Sequence, residues 1–224
     1  MATKVNHPNR GVDEVLKQTD IGEFIAKNKS LCMSLLALVA AAIIGYGFYD
    51  HSSKKSSAKF GNEIFDFETN KLKMFTEKKI KGAELVAATK TLLETTSYYE
   101  GTLQPLLVAA DGLRNQELLK EARELLELAK DNFSNTNIYA KYLIYSRLAP
   151  IYEDLDQTKL AITLLEDLNQ SNIKIDQERT YFDLGRMYQE VGDKEKAKLN
   201  LKYLIDNYAD GEYSKIAKIV LERL

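Results

Sequence analysis

The feature that most constrains the fold is a run of 20 uncharged residues, Ser30–Tyr49, with the sequence SLCMSLLALVAAAIIGYGFY. An α-helix of this length would span about 30 Å, which matches the hydrocarbon thickness of a bilayer. Lys27 and Lys29 precede the run, and it ends in aromatic residues, whose rings favour the membrane interface. We therefore predict a transmembrane helix over residues 30–49.

Other interpretations of this run fit less well. A cleavable signal peptide would need a charged region of about 29 residues, and no small-residue cleavage site ends the run. A lipoprotein signal is disfavoured because Cys32 lies at the start of the apolar run. A buried core helix would be apolar on every face, which is rare outside membranes and large cores. Three lysines flank the run on each side, so the positive-inside rule does not assign its orientation.

The composition restricts the fold class of the rest of the chain and the kinds of ligand it can bind. Only 3 prolines and 11 glycines occur in 224 residues, so long helices can run without interruption. A formal net charge of −2 argues against a nucleic-acid partner. One cysteine cannot form an internal disulfide, and with two histidines it cannot build a Cys/His metal cluster. We expect an all-α protein with no metal, no cofactor and no small-molecule substrate.

A helical hairpin is predicted after a short polar linker at residues 52–57. Phe60, Ile64 and Phe67, followed by Met74 or Phe75, have the spacing of one helix face. A polar stretch over residues 78–82 ends this helix, and a second apolar stripe then begins at Leu85 and continues to Leu93. Residues 50–100 are therefore assigned to a linker and a first hairpin.

A repeat pattern follows over residues 101–224. Its clearest copy runs through Tyr181, Leu184-Gly185 and Tyr188, then a Gly192-Asp193 turn, then Ala197, Leu201 and Leu204. This copy resembles the tetratricopeptide repeat, in which small residues allow two helix backbones to approach closely. We expect Gly185 and Ala197 to mark this close approach.

Earlier copies of the repeat are weaker. The alanines at the expected crossing points, Ala122, Ala161 and Ala197, are 39 and 36 residues apart, so the array is degenerate. Pro150 lies inside a predicted helix, where we expect a kink or a break. The last helix, over residues 212–224, suits a cap with Ile216 and Ile219 on its apolar side. The predicted fold is one N-terminal transmembrane helix followed by a degenerate tetratricopeptide-like helical-hairpin solenoid.

No residue is nominated as catalytic. The acidic pairs Glu153-Asp154 and Glu166-Asp167 are sequence neighbours, which do not share a helix face, and we interpret them as solvated charges. His7 and His51 have no evident orienting partner, and no phosphate-binding glycine loop is present in the sequence.

A protein-binding groove is the remaining hypothesis, because the first helices of stacked pairs line one face. Tetratricopeptide spacing places in it Gln104, Leu107, Asp111, Arg114 and Asn115 from the first repeat, Leu143, Ser146, Glu153 and Asp154 from the second, and Arg179, Phe182, Arg186, Gln189 and Glu190 from the third. The alternative is that these are ordinary exposed helix residues. The tyrosines between Tyr139 and Tyr152 are interpreted as core packing, with an aromatic peptide-binding strip as the alternative.

The layout resembles the YfgM-like family, which are ancillary subunits of the bacterial SecYEG protein-export channel. The resemblance rests on the uncharged run, on the Tyr181–Leu204 repeat, and on the run Asn207-Tyr208-Ala209-Asp210 that follows it. The family often has proline where Ala209 stands.

The resemblance implies a cytoplasmic segment over residues 1–29, an anchor in the bacterial inner membrane, and a periplasmic C-terminal array. It also implies a non-enzymatic adaptor in protein export, with the SecYEG channel and a periplasmic prolyl isomerase-like chaperone as protein partners. A scaffold of another cell-envelope assembly is the alternative function that shares this fold.

Overall fold

The computed structural model describes residues 28–171 and 174–224, apart from the side chains at 29–30, 32–33, 36–37 and 47–59. The predicted segment over residues 1–29 therefore lies almost wholly outside the described residues. The described part is helical throughout and contains no strand, which confirms the all-α class. The chain divides into two units, Met1–Ser57 and Ala58–Leu224.

Ten α-helices make up the described part. They are α1 Lys29–Asp66, α2 Lys73–Thr76, α3 Gly82–Thr95, α4 Leu103–Asn115, α5 Leu119–Phe133, α6 Ile138–Asp154, α7 Thr158–Gln170, α8 Gln177–Glu190, α9 Lys194–Asn207 and α10 Glu212–Leu221. A π-helical turn, Phe67–Leu72, joins α1 to α2, and a 3₁₀ turn, Glu100–Thr102, precedes α4. Residues 52–57, expected to form a linker, are helical and belong to α1, since they contain no proline or glycine.

In the first unit, large apolar side chains of α1 are exposed to solvent. Leu38 is 68% exposed, Ile43 67% and Ile44 70%. With 3.6 residues per turn, these positions lie on different faces of the helix. A search of the described residues found no helix that is both long enough and apolar enough to cross a membrane.

The second unit is a succession of helix hairpins. The π-helical turn packs on α3, and the following helices pair as α4 with α5, α6 with α7, and α8 with α9. Each pair also packs on the next, through α5 with α6 and α7 with α8. Side chains from all these helices meet in a continuous apolar core, while α10 packs on both α9 and α8.

The same turn closes four hairpins. Lys78, Glu117, Asp156 and Gly192 all have positive φ angles, of 58°, 60°, 58° and 83°. In each turn the N–H of the next residue donates to a carbonyl five residues earlier, at 2.7 to 3.0 Å. This is the Schellman arrangement, which usually places glycine at the left-handed residue. The sequence predicted the turn at Gly192 and a helix end over residues 78–82, whereas the turns at Glu117 and Asp156 were not predicted because they lack glycine.

The small residues predicted at the helix crossings are buried. Ala122, Ala161 and Ala197 are each 0% exposed. A Cβ atom added to Gly185 would lie 2.6 Å from both Cγ and Cδ2 of Leu201. The close approach of α8 and α9 therefore requires glycine at this position.

Pro150 does not break its helix, contrary to one of the two expected outcomes. Helix α6 continues without interruption from Ile138 to Asp154. Residues 148–149 and 151–152, on both sides of Pro150, are buried, and their packing offsets the local cost of proline. Because proline has no N–H, residue 150 cannot donate to the carbonyl of Ser146.

The predicted apolar side of the last helix is wrong in part. Ile216 and Ile219 of α10 are 42% and 52% exposed, whereas Ser214 and Ala217 are fully buried. The Ser214 hydroxyl donates to the carbonyl of Leu204 at 3.0 Å. Because α10 packs closely on α9, the small residues of α10 face α9 and the two isoleucines face solvent.

Candidate binding cleft

A cleft of about 80 Å³ lies between α6 and α8, the first helices of two successive hairpins. Its polar lining comes from Tyr142, Ser146 and Glu153 on α6, from Asp176, and from Arg179, Thr180, Asp183 and Arg186 on α8. Its apolar lining comes from Ala149, Pro150, Leu165, Leu168 and Met187. Five charged groups therefore face one small space within the second unit.

An ion pair between Arg186 and Glu153 joins the two helices at this cleft. Both terminal nitrogens of the guanidinium donate to the carboxylate, one of them at 2.8 Å. The hydrogen bonds from Arg186 hold the pKa of Glu153 below its usual value. The same pair raises the pKa of Arg186, so the guanidinium stays charged at every accessible pH. This two-pronged geometry fixes the spacing of the hairpins.

Asp183 is the desolvated acid of the cleft. The Nε of Arg179 lies 3.5 Å from one of its oxygens, and a terminal nitrogen of Arg186 lies 3.6 Å from the other. Burial raises the pKa of Asp183 above its usual value in spite of both guanidinium groups. The neighbouring positive charge is therefore insufficient to offset the desolvation of this carboxylate.

Further ion pairs join α6 to the helices packed on it. The Nε of Arg147 on α6 lies 3.1 Å from both carboxylate oxygens of Asp111 on α4. The ammonium of Lys141 donates to Asp167 on α7 at 2.7 Å. Glu153 and Asp167 thus pair with basic side chains of neighbouring helices, which corrects our interpretation of them as merely solvated charges.

A tyrosine–glutamate hydrogen bond joins one hairpin to the next at two places. The hydroxyl of Tyr152 donates to Glu127 at 2.9 Å, and that of Tyr188 donates to Glu166. Each tyrosine lies four residues before the positive-φ residue of its turn, so the two bonds are equivalent by position. Burial, with a smaller contribution from Glu127, raises the pKa of Tyr152 to about 12. Both hydroxyls therefore remain protonated donors at neutral pH.

The structure brings four of the predicted groove residues together, because Ser146, Glu153, Arg179 and Arg186 all line the cleft. Leu107 is only 3% exposed and belongs to the core, so no partner can reach it. The ring of Phe182 packs on that of Tyr213, with 5.3 Å between centroids. The other predicted residues are placed as follows: Asp111 pairs with Arg147, and Gln104, Arg114, Asn115, Leu143, Asp154, Gln189 and Glu190 are exposed.

The tyrosines between Tyr139 and Tyr152 differ in their surroundings. Tyr145 and Tyr152 are buried, as the packing interpretation expects, and Tyr139 is exposed. Tyr142 lines the cleft, where burial raises the pKa of its hydroxyl. Asp183 was not among the predicted groove residues, although it is an i+4 neighbour of Arg179 on the same helix face.

The chemistry available here is recognition by charge and hydrogen bonding. No group of three or more possible metal-ligating side chains occurs within residues 28–171 and 174–224. The side chains of both His7 and His51 lie outside the described part. A comparison with protein-family models and a comparison with curated proteins gave no match to this chain.

Proposed function

We propose that this protein is a non-enzymatic, membrane-anchored adaptor whose helical repeats bind other proteins. The observation that carries this proposal is the charged cleft between α6 and α8, enclosed by two hairpins held in fixed register by the Arg186–Glu153 pair. Four of the five charged groups that line it are held in ion pairs, and the Arg186–Glu153 pair joins the two helices. Such a rigid polar surface suits recognition of a partner.

The anchor assignment concerns residues 30–49. It is supported by the absence of any charged residue over a length that matches a bilayer. It is supported also by the exposure of Leu38, Ile43 and Ile44, because large apolar side chains on several faces of one helix favour a lipid environment.

The repeat array is proposed to be tetratricopeptide-like. Its support is the recurrence of one turn geometry, of buried alanines where helices cross, and of the tyrosine–glutamate bond. In an array of this kind the first helices of successive pairs line a shared face. Helices α4, α6 and α8 would supply that face, and the cleft lies between two of them.

The cellular role follows from the resemblance to the YfgM-like family. We propose an accessory subunit of the SecYEG export channel, with the N-terminus in the cytoplasm and residues 50–224 in the periplasm. The array would link the channel to a periplasmic prolyl isomerase-like chaperone. The alternative is that the chain is a scaffold of another envelope assembly, with the same anchor and array but with different partners.

The test is co-purification of the tagged full-length chain in mild detergent, followed by mass spectrometry. Channel subunits together with a periplasmic chaperone support the export role and the orientation. Subunits of a different envelope complex keep the adaptor role and replace the export role. Recovery of cytosolic proteins alone contradicts both the orientation and the export role.

A further inference from the structure

We propose that the cleft between α6 and α8 captures one lysine or arginine side chain from an extended segment of the partner protein. This inference rests on the proposed adaptor function and assigns the chemistry of its binding site. It is carried by the size of the cleft, by the acceptors that line it, and by its charge.

The space fits the end of one long side chain. The cleft volume of about 80 Å³ exceeds the ~10–15 Å³ that a single water needs, so the cleft can hold a few waters or one small group. A guanidinium or ammonium group is of this size, whereas a folded surface or a nucleotide is far larger. An extended segment lying across α6 and α8 can insert one such group.

The lining offers acceptors that the fold leaves underused. The contacts from Asp183 to its two arginines, at 3.5 and 3.6 Å, are longer than good hydrogen bonds. The carbonyl of Ser146 lacks its usual donor four residues later, because Pro150 stands where that N–H would be. An incoming cationic group carries several N–H donors, which can reach both the carboxylate and the carbonyl.

The charge of the cleft favours a cation. Three acids, Glu153, Asp176 and Asp183, and two arginines, Arg179 and Arg186, line it, which leaves one net negative charge. Burial raises the pKa of Asp183 despite both arginines, so a further cation beside this carboxylate would stabilise its charged form. An acidic side chain would have to displace Glu153 from Arg186, or lie against Asp183.

The test uses methyl NMR of the full-length chain in detergent with labelled methionine. Met187 lines the cleft and Met74 lies on α2, so one methyl signal reports occupancy and the other is an internal reference. Assignment comes from Met187→Leu. The probes are blocked hexapeptides that are identical except for one central residue, which is arginine, its uncharged analogue citrulline, or glutamate.

The arginine peptide should shift the Met187 signal to saturation, with an affinity about tenfold or more above that of the citrulline peptide. Asp183→Asn removes the charge with little change of shape and should abolish this preference. Asp206→Asn, at an exposed site on α9, should retain it. Pro150→Ala restores an N–H for the Ser146 carbonyl, so it should weaken binding without lowering thermal stability.

Equal binding of the arginine and citrulline peptides would overturn the inference, as would a preference for glutamate or full binding by Asp183→Asn. These outcomes are separable from a failure of the proposed function. If partners still co-purify with the Asp183→Asn chain as they do with the wild type, the adaptor role stands and the capture of a cation falls.

Discussion

Gly185→Ala tests the close crossing of α8 and α9 with one methyl group. The added Cβ would lie 2.6 Å from Cγ and Cδ2 of Leu201, whereas ordinary contacts begin at 3.4 Å. Leu201 must therefore move by 0.8 Å, and it is 0% exposed. Because the clash reaches Cγ, rotating a terminal methyl cannot relieve it.

The net effect is a difference between two opposing contributions. Overpacking a well-packed core costs about 1–3 kcal/mol. A clash with both Cγ and Cδ2 of a fully buried leucine belongs in the upper half of this range, at about 2–3 kcal/mol. Replacing a helical glycine by alanine gains about 1 kcal/mol of helix propensity. We expect Gly185→Ala to lower the free energy of unfolding by about 1–2 kcal/mol, which for a domain of this size lowers Tm by about 2–8 °C.

The assay is thermal unfolding of the full-length chain in detergent, followed by helical circular dichroism. Gly112→Ala in α4 is the matched control, because the added Cβ would meet the ring of Phe75 at an ordinary distance of 3.5 Å. This variant should gain helix propensity without a clash, so its Tm should rise. Adding Leu201→Ala to Gly185→Ala should cost at least about 1 kcal/mol less than the sum of the single variants. A Gly185→Ala chain that melts at or above the wild-type temperature would refute the close crossing.

Three further substitutions probe the interhelical bonds and the anchor. Tyr188→Phe should lower the free energy of unfolding by about 1–2 kcal/mol, because it removes the hydrogen bond to Glu166; Tyr139→Phe, at a side chain 64% exposed, should change it by less than about 0.5 kcal/mol in urea denaturation. In the folded protein the pKa of Glu153 lies below its usual 4.5. The pair with Arg186 therefore contributes fully to the free energy of unfolding above pH 4.5, and this contribution is lost as the pH falls through the folded pKa. The stability difference between wild type and Glu153→Gln should therefore shrink on acidification to about pH 3, and a constant difference would contradict this. Leu38→Arg puts a charge near the middle of the proposed span at a cost of about 2.5–3.5 kcal/mol, so it should move protein from the carbonate-resistant membrane fraction into the soluble one, while Leu199→Arg on α9 should not.

The sequence predicts those parts of the fold in which the backbone geometry permits only one type of residue. Buried alanines at helix crossings and glycine opposite Leu201 are of this kind, because no larger side chain fits there. The turns at Glu117 and Asp156 were missed, since packing of the flanking helices imposes a left-handed residue without glycine. In α10 the apolar pattern favoured Ile216 and Ile219, but close packing on α9 selected small residues instead.

The candidate site was predictable in part for the same reason. Repeat spacing placed Ser146, Arg179 and Arg186 on one face, and the structure brings them to one cleft. The role of Asp183 depends on how deeply neighbouring helices bury it, which spacing along one helix does not reveal. Pro150 was interpreted as a defect of its helix, whereas in the fold it frees a backbone acceptor beside the cleft.

The most direct test of the adaptor account is site-specific photo-crosslinking in living cells. A photoreactive residue replaces Arg179 at the cleft, and a second chain carries it at Leu199, which is 69% exposed on α9. The account predicts adducts with an export-channel subunit or a periplasmic chaperone from position 179 and far fewer from position 199. The same adducts from both positions, or adducts with cytosolic proteins alone, would contradict it.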